Sequence, residues 1–374
     1  MPFDTLVRLD GQGSPAYDPR MRAIVLAGGE GTRMRPLTRR TPKPLVPLLN
    51  RPLLDHLLLH LRAHGFDQIT LALTQRAEAI QRSFGSGERL GLDLEYAYED
   101  TPLGSGGAIA LIAGAGTSDA WDETFLVCNG DIITDLDLSA MLEAHRARQA
   151  ELSISLFEVE DPSSFGVADL DDTGRIRRFV EKPPREEAPS NSINSGAWIF
   201  EPSLLTDMDA SRFNRVEDEL FPTVCAAGRP VYGFRHAGYW ADVGNPASLL
   251  RVNLDLVRGA IPSWLSVPPP AGAVLRGDDV AIAASARVEG PAIIGSRSRI
   301  AERATVTSST LWEDVTIGAD ALVRGSTIAS GVVVGAGAQI IDCVIAHDAT
   351  IEAGARLTGA AIEPATNVVA EVTR

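Results

Sequence analysis

The chain has 374 residues, 45% hydrophobic and 22% charged, with a formal net charge of −15, a length beyond one typical domain and a composition ordinary for a soluble globular protein. The negative balance argues against a broad polyanion-binding surface and so against non-specific nucleic-acid binding, while one anionic small molecule can still be held in a pocket with its own local field. No apolar run approaches the ~18 residues a membrane span needs, so no membrane partner is expected.

Residues 1–20 carry Asp4, Arg8, Asp10, Asp18 and Arg20 around no apolar block. They are not a secretory signal, and a flexible extension or a mis-set start codon is expected there. The first strand pattern, RAIVLAGG, begins after Met21 and fits a buried parallel strand running into a loop. RPLLDHLLLHLRAHG follows. Leu53, Leu54, Leu57, Leu58 and Leu61 form one helical stripe, with Pro52 expected at the first helical position and Gly65 at the stop. QITLAL, LDLEYAY, TFLVCNGD and LSISLFEV read as further strands with helical stretches between some of them. That alternation predicts a doubly wound, Rossmann-like α/β domain over 21–262.

SWLSVPPPAGAVLRG breaks the pattern and reads as a linker opening a second region, 263–374. Beyond it the apolar period becomes six: Val288, Ile294, Ile300 and Val306; Leu311 and Ile317; Ile328, Val334 and Ile340; Ile351 and Leu357. Gly and Ala crowd the positions between. This is the signal of a parallel β-helix of hexapeptide repeats. The region holds one histidine, His347, and no lysine. It shows no apparatus for acetyl transfer, and an oligomerising or regulatory role is expected.

Cys128, Cys225 and Cys343 are widely spaced, without CxxC. They read as buried, reduced thiols of a cytoplasmic protein, not zinc ligands. His56, His60 and His64 share one helical face, read as solvated or partly buried.

The chemistry is concentrated in LAGGEGTRMRPLTRRTPKPL. Gly28, Gly29 and Gly31 let the backbone approach a ligand and turn N–H groups toward phosphate oxygens. Arg33 can add a fork of donors. The spacing fits neither GxGxxG nor GxxxxGK[ST], and Pro36, Pro42, Pro44 and Pro47 forbid an immediate long helix. A phosphate loop of another kind is indicated.

This stretch resembles the signature of sugar-nucleotide pyrophosphorylases, a nucleotidyltransferase family with the pattern GGxGTRxxPLT followed by PKPL. Further matches follow in the family's order: PLGSGGAI (102–109), NGD (129–131), SSFGVADLD with RFVEKP (163–183), INSGAWIF (193–200) and WADVGNP (240–246). They span nearly the whole first domain, and a C-terminal left-handed parallel β-helix also fits the family. The resemblance is greatest to mannose-1-phosphate guanylyltransferases; PLGSGGAI also resembles heptose-1-phosphate guanylyltransferases.

The resemblance implies the reaction NTP + sugar 1-phosphate → NDP-sugar + pyrophosphate, with Mg²⁺ as cofactor. It implies nucleotide contacts at Ala27, Gly28, Gly29, Gly31, Thr32 and Gly104. It implies sugar-phosphate contacts at Gly166, Glu181, Lys182 and Asn194, and metal ligation by Asp131 and Asp242. Asp135 and Asp137 are expected in turn and capping roles. Trp240 is read as either a sugar platform or a core residue.

The chain has two lysines, Lys43 and Lys182, against 32 arginines. Both fall in matched motifs, PKP and EKP, where the family uses lysine on the nucleotide α-phosphate and on the sugar phosphate. A compact ammonium leaves a reacting phosphorus open to in-line attack, where a planar guanidinium would crowd it. Arg33, Lys43 and Lys182 are therefore the implied catalytic cations. YEDTPLGSGG aligns with the family's base-reading loop and places Glu99 five residues before Gly104. A carboxylate suits guanine's adjacent N1–H and N2–H₂ donors and repels the carbonyls of uracil or thymine, so Glu99, or Asp100 beside it, favours GTP. GTP with mannose 1-phosphate is the expected pair. Thymidylyl or uridylyl transfer to glucose 1-phosphate, heptose-1-phosphate guanylyl transfer, and a non-catalytic nucleotide-sugar-binding paralogue are the alternatives. A homo-oligomer through the β-helix is expected.

Overall fold

The computed structural model describes residues 21–74, 77–113, 121–261 and 272–369. The expected N-terminal extension and most of the expected linker lie outside the described residues. In chain order the first half contains β1 (Arg22–Leu26), β2 (Pro47–Leu48), β3 (Arg51–Pro52), α1 (Leu53–Ala63), β4 (Gln68–Leu73), α2 (Ala77–Phe84), β5 (Asp93–Tyr98), α3 (Gly104–Ala113), β6 (Phe125–Asn129), β7 (Ile132–Thr134) and α4 (Leu138–Ala147). Then come β8 (Leu152–Glu158), β9 (Gly166–Leu170), β10 (Ile176–Glu181), β11 (Ser192–Phe200), α5 (Phe221–Ala226), β12 (Val231–His236), β13 (Trp240–Asp242) and α6 (Pro246–Val257). The described residues form two compact units. One holds 21–30 and Leu57–Trp240; the other holds Gly31–His56 and the chain from 241 onward.

The first unit is built on one mixed sheet, ordered β10-β9-β11-β6-β1-β4-β5, with β8 joined to β11 and β12 to β8. Strands β5, β4, β1 and β6 run parallel, as the buried apolar runs predict. Strand β11 then lies antiparallel to β6, β8 and β9. The doubly wound expectation thus describes the half from β5 to β6, and the other half is mostly antiparallel. Aromatic packing closes the core. Trp198 meets Phe221 edge-on at 5.4 Å, and Phe125 stacks on Phe200 at 5.6 Å.

Helix α1 buries Leu53, Leu54, Leu57, Leu58 and Leu61 as its stripe requires. Two expectations about it are corrected. Pro52 is not its first residue but pairs with Pro47 in the two-residue β2–β3 ladder. The histidine face is not solvated at His56 and His60, each only 6% exposed. His56 Nε2 donates to Leu48 O at 2.8 Å and His60 Nε2 to Leu136 O at 2.9 Å. Burial drops their pKa values to about 4 and about 3, so both rings are neutral at physiological pH.

In the second unit, three parallel sheets of six, six and five strands carry the chain from Val274 to Val368. The register advances one coil every 17 residues along Ile294, Leu311, Ile328, Ile345 and Ile362. The six-residue apolar rows point inward: Ile294, Val306, Leu311, Ile317, Ile328, Ile340 and Ile351 are fully buried. Coil corners require left-handed backbone, which Asp tolerates better than most side chains. Asp314, Asp320, Asp342 and Asp348 occupy such corners at φ 52–58°. The expected linker is shorter than its Pro- and Gly-rich composition suggested, because Val274–Arg276 already pairs as the first coil strand. Helix α6 opens with Pro246 behind a capping box, Asn245 with Ser248. Its buried Asn253 accepts from Leu49 N–H at 2.9 Å, tying the 31–56 segment to that helix. No helix among the described residues is long and apolar enough to cross a membrane.

Candidate active site

In the first unit, a cavity of about 250 Å³ opens at the C-terminal ends of β1, β4 and β6, where open α/β sheets bind ligands. Gly28 and Gly29 form one wall, Glu99 and Gly104 another, and Asn129 a third. Ala27, directly before Gly28, is held by its N–H on Ala72 O at 3.0 Å. Glu99 follows β5 and is not a solvated strand-end charge. Its Oε2 accepts the Leu103 N–H at 2.7 Å, and partial burial raises its pKa against that hydrogen bond.

The fourth wall was not legible in the sequence. Segment 208–216 crosses over the start of α3: Asn214 N donates to Leu103 O at 2.9 Å, and Asn214 O accepts from Gly106 N at 3.1 Å. A Cβ on Gly106 would stand 2.0 Å from Asn214 Oδ1. The space a side chain would need at that glycine is therefore taken by the Asn214 side chain. Ser105 Oγ reaches Glu217 Oε2 at 2.6 Å and accepts from Val216 N. The crossing segment presents Phe213 to the cavity at 60% exposure. An aromatic face left this open beside a glycine-lined cavity is a ready stacking platform for a base. A hint existed in the SRFNRVED string, whose lone aromatic sits among polar residues.

A second cluster lies on the β9–β10 hairpin. Gly166 pairs with Glu181 across it. Glu181 Oε1 holds two cations, Lys182 Nζ at 3.1 Å and Arg215 Nη2 at 3.2 Å. Lys182 is exposed, and its backbone sits at φ 45°, a conformation costly for a side chain with a Cβ. Its N–H bonds Phe165 O at 3.0 Å. Arg215 is a cation that the sequence motifs did not single out. On β11, Asn194 Oδ1 accepts from Gly196 N and Trp198 Nε1 at 3.0 and 2.7 Å, so a sugar hydroxyl would meet its amide Nδ2. Trp240 Nε1 donates to Ser195 O at 2.8 Å, and its partly buried ring lies 5.5–5.7 Å from Phe157 and Phe165.

In the other unit, the signature loop winds through three single turns, Thr32–Met34, Leu37–Arg39 and Lys43–Leu45, as its prolines dictate. Gly31 has φ 64°, and a Cβ there would lie 3.1 Å from both Lys43 Cβ and Thr38 Cγ2. Thr38 Oγ1 donates to Gly31 O at 2.7 Å. Gly31, Thr38 and Lys43 thus make one knot, with Thr32 and Arg33 on its exposed side.

Asp131 is half-buried just after β6, where Gly130 N–H bonds Leu26 O at 2.9 Å. Asp242, also half-buried, ends β13. Among the described residues no group of three or more His, Cys, Asp or Glu could hold a metal ion. Each carboxylate, taken by itself, offers the hard oxygens that Mg²⁺ prefers, with phosphate and water oxygens to complete a shell. Asp137 caps α4 through Ala140 N–H at 2.9 Å, the capping role expected of it, whereas Asp135 makes no local turn among the described residues and instead accepts from the sequence-distant Tyr239 N–H at 2.7 Å.

The family model described as Nucleotidyl transferase matches residues 22–259. The chain belongs to the nucleotidyl transferase family. A second model, the GMPPB C-terminal domain, matches 271–374. This nucleotidyl transferase is 36% identical over 298 residues to a mannose-1-phosphate guanylyltransferase of Mycobacterium tuberculosis, covering 79% of this chain and 81% of that one. It is 33% identical to a UTP–glucose-1-phosphate uridylyltransferase of Synechocystis, covering 80% and 85%. Among solved structures, HddC from Yersinia pseudotuberculosis complexed with GMP-PN superposes with TM-score 0.53 at 27% identity, over 63% of this chain and 99% of that one. A putative glucose-1-phosphate thymidylyltransferase from Bacillus anthracis, at TM-score 0.56 and 24% identity, covers 62% and 94% and shares the fold.

Proposed function

We propose that this nucleotidyl transferase joins GTP and mannose 1-phosphate into GDP-mannose, releasing pyrophosphate. The observation that carries the base choice is Glu99, fixed by Leu103 N–H at the cavity wall with Oε1 left to accept from guanine. The similarity to mannose-1-phosphate guanylyltransferase supports the sugar, and the GMP-PN in the HddC structure supports a guanine nucleotide.

A sugar-phosphate oxygen attacks the α-phosphorus, and the bond to the β-phosphate bridging oxygen breaks as pyrophosphate departs on the opposite face. The attacking phosphate is already anionic, so neither a covalent intermediate nor a strong base is needed. Catalysis is alignment plus charge neutralisation. The backbone at Ala27–Gly29, Gly31, Thr32 and Gly104 holds the nucleotide. Arg33 and Lys43 take the triphosphate. Lys182, steadied by Glu181, takes the sugar phosphate, with Gly166 and Asn194 on the sugar. Asp131 and Asp242 are each proposed as Mg²⁺ ligands; the ion would neutralise phosphate charge when bound. A cytoplasmic homo-oligomer assembled through the β-helix belongs to the same reading.

The uridylyltransferase relative favours a second reading, UTP or dTTP with glucose 1-phosphate. The deciding experiment is pyrophosphate release across four NTPs and mannose, glucose and heptose 1-phosphates. The first reading expects the highest kcat/KM for GTP with mannose 1-phosphate. A pyrimidine nucleotide with glucose 1-phosphate on top would install the second, and no turnover with any pair would leave a binding protein.

A further inference from the structure

Arg39, Arg40 and Thr41 directly precede Pro42-Lys43, and all three side chains end on the β-helix. Arg39 Nε lies 3.1 Å from Glu363 Oε2. Arg40 Nη1 donates to Asp348 Oδ2. Thr41 Oγ1 is 2.9 Å from His347 Nε2. The two ion pairs are exposed and screened, so they weigh little singly. The Thr41–His347 bond is partly buried, and burial, with the Arg40 guanidinium beside it and Asp348 opposing, holds His347 below the usual histidine range. The ring is thus an uncharged partner for the threonine.

His347 is an odd residue for stability alone. Its ring lies edge-on to Trp312 at 5.3 Å. Trp312 Nε1 and His347 Nδ1 are the two buried side-chain polar atoms without a hydrogen-bond partner among the described residues. Leaving both unmatched costs stability, and such groups in a native protein call for another reason to exist. The chain beyond Thr41 is well suited to pass on its position. One residue separates Thr41 from Lys43, and it is Pro42, its ring fixing φ at −51°. Pro42 O and Lys43 O then accept from Leu45 N and Val46 N at 2.8 and 3.2 Å. Lys43 Cβ in turn sits against Gly31.

We propose that the β-helix positions Lys43: His347, with Asp348 and Glu363, holds Arg39–Thr41 so that the lysine keeps one place. The consequence for turnover rests on the reading of Lys43 as a phosphate contact; the tether itself does not. His347 is a positioning residue acting through Thr41.

The test uses the full chain. His347→Phe keeps a flat ring on Trp312 but removes both nitrogens; His347→Gln returns an amide able to bond Thr41. Thr41→Val removes the bond from the other side. Asp320→Asn, breaking the Arg303 pair elsewhere on the β-helix, is the control. Measured are kcat, KM, thermal midpoint and hydrogen exchange of the 37–46 peptide. His347→Phe should lower kcat about tenfold, a modest misplacement, with KM little changed, the midpoint kept and exchange at Leu45 and Val46 faster. His347→Gln should recover most of this, the Thr41→Val double variant should be no worse than either single one, and Asp320→Asn should change nothing. Wild-type exchange and kcat in His347→Phe would overturn the tether. So would equal falls of kcat and midpoint in His347→Phe and Asp320→Asn. Faster exchange with unchanged kcat would uphold the tether and count instead against Lys43 as a phosphate contact.

Discussion

The serine–cysteine ladder inside the β-helix and the glycine-lined cavity of the first unit handle polar groups in opposite ways. Along the coils a buried ladder repeats: Ser326 N donates to Ser309 Oγ at 3.1 Å, Cys343 N to Ser326 Oγ at 3.0 Å, and Ala360 N to Cys343 Sγ at 3.4 Å. Each of these side chains donates in turn to the carbonyl two residues back. Around the cavity, by contrast, a carboxylate is half-buried, an aromatic ring stands open, and Lys182 on the nearby hairpin holds a costly backbone angle. Satisfied repetition marks the ladder residues as serving stability; a half-buried carboxylate, an open ring and a lysine at a costly backbone angle mark residues available to a ligand.

The largest test of that contrast is Lys43→Arg. It keeps charge and spreads it over a plane, so pyrophosphate release should fall ~10²-fold, the scale of one misaimed electrostatic contact. The thermal midpoint should stay put. Near wild-type turnover would remove the argument from two lysines among 32 arginines.

Glu99→Gln comes next. GTP should lose ~1–3 kcal/mol in kcat/KM relative to UTP and dTTP, a charged hydrogen-bond pair's worth. An unchanged preference in both Glu99→Gln and Asp100→Asn would refute the base-reading role. Phe213→Ala should raise KM for the nucleotide about tenfold, with kcat and stability little affected, as loss of one base stack predicts. Phe213→Tyr should restore it; a KM indifferent to both changes would make the ring mere surface.

Two smaller tests address stability. His56 and His60 titrate near 6.5 when unfolded but near 4 and 3 when folded. Their contribution is fully present above pH 6.5 and lost as pH falls, at about 1.4 kcal/mol per unit for each ring, until the folded rings protonate. Unfolding midpoints between pH 7 and 4 should follow that slope, and His56→Gln, which keeps a donor for Leu48 O, should flatten it. Last, Ser326→Ala strands Cys343 N–H inside the coils and should cost about 1 kcal/mol or somewhat more, seen in denaturant unfolding. Activity should not change, and a matching loss of kcat would blur the division drawn here.

Much of this was legible because it is periodic or local. The six-residue rows and the leucine stripe of α1 repeat a spacing that burial alone imposes. The glycine and proline string at 28–47 dictates single turns whatever surrounds it. What escaped depends on contacts distant in sequence. Segment 208–216 meets α3 across about a hundred residues, so Arg215 carried no local signal and Phe213 only the hint of a lone aromatic among polar neighbours. His56 and His60 had the right face but the wrong environment, since the carbonyls that receive them come from Leu48 and Leu136. Pro52 was misjudged because a two-residue ladder leaves no period to detect. The antiparallel turn of β11 likewise follows from strand order, which composition does not encode.

The coil register has a consequence for length. Asn50 Nδ2 donates to Ile294 O at 3.1 Å, while Arg40, ten residues earlier, is held at Asp348. Between those anchor points the coils advance three steps, from the strand ending at Ile294 to the one ending at Ile345. At ~4.8 Å a step that is about 14 Å. The β-helix is therefore a gauge block for the 40–50 segment. Excising one whole coil, residues 314–330, would leave every ladder in phase and every inward row unbroken, yet shorten the block by ~4.8 Å, and one end of the segment would have to let go. A protein of this design can add coils beyond Glu363 freely, but between Ile294 and Glu363 its coil number is fixed by the loop that spans them.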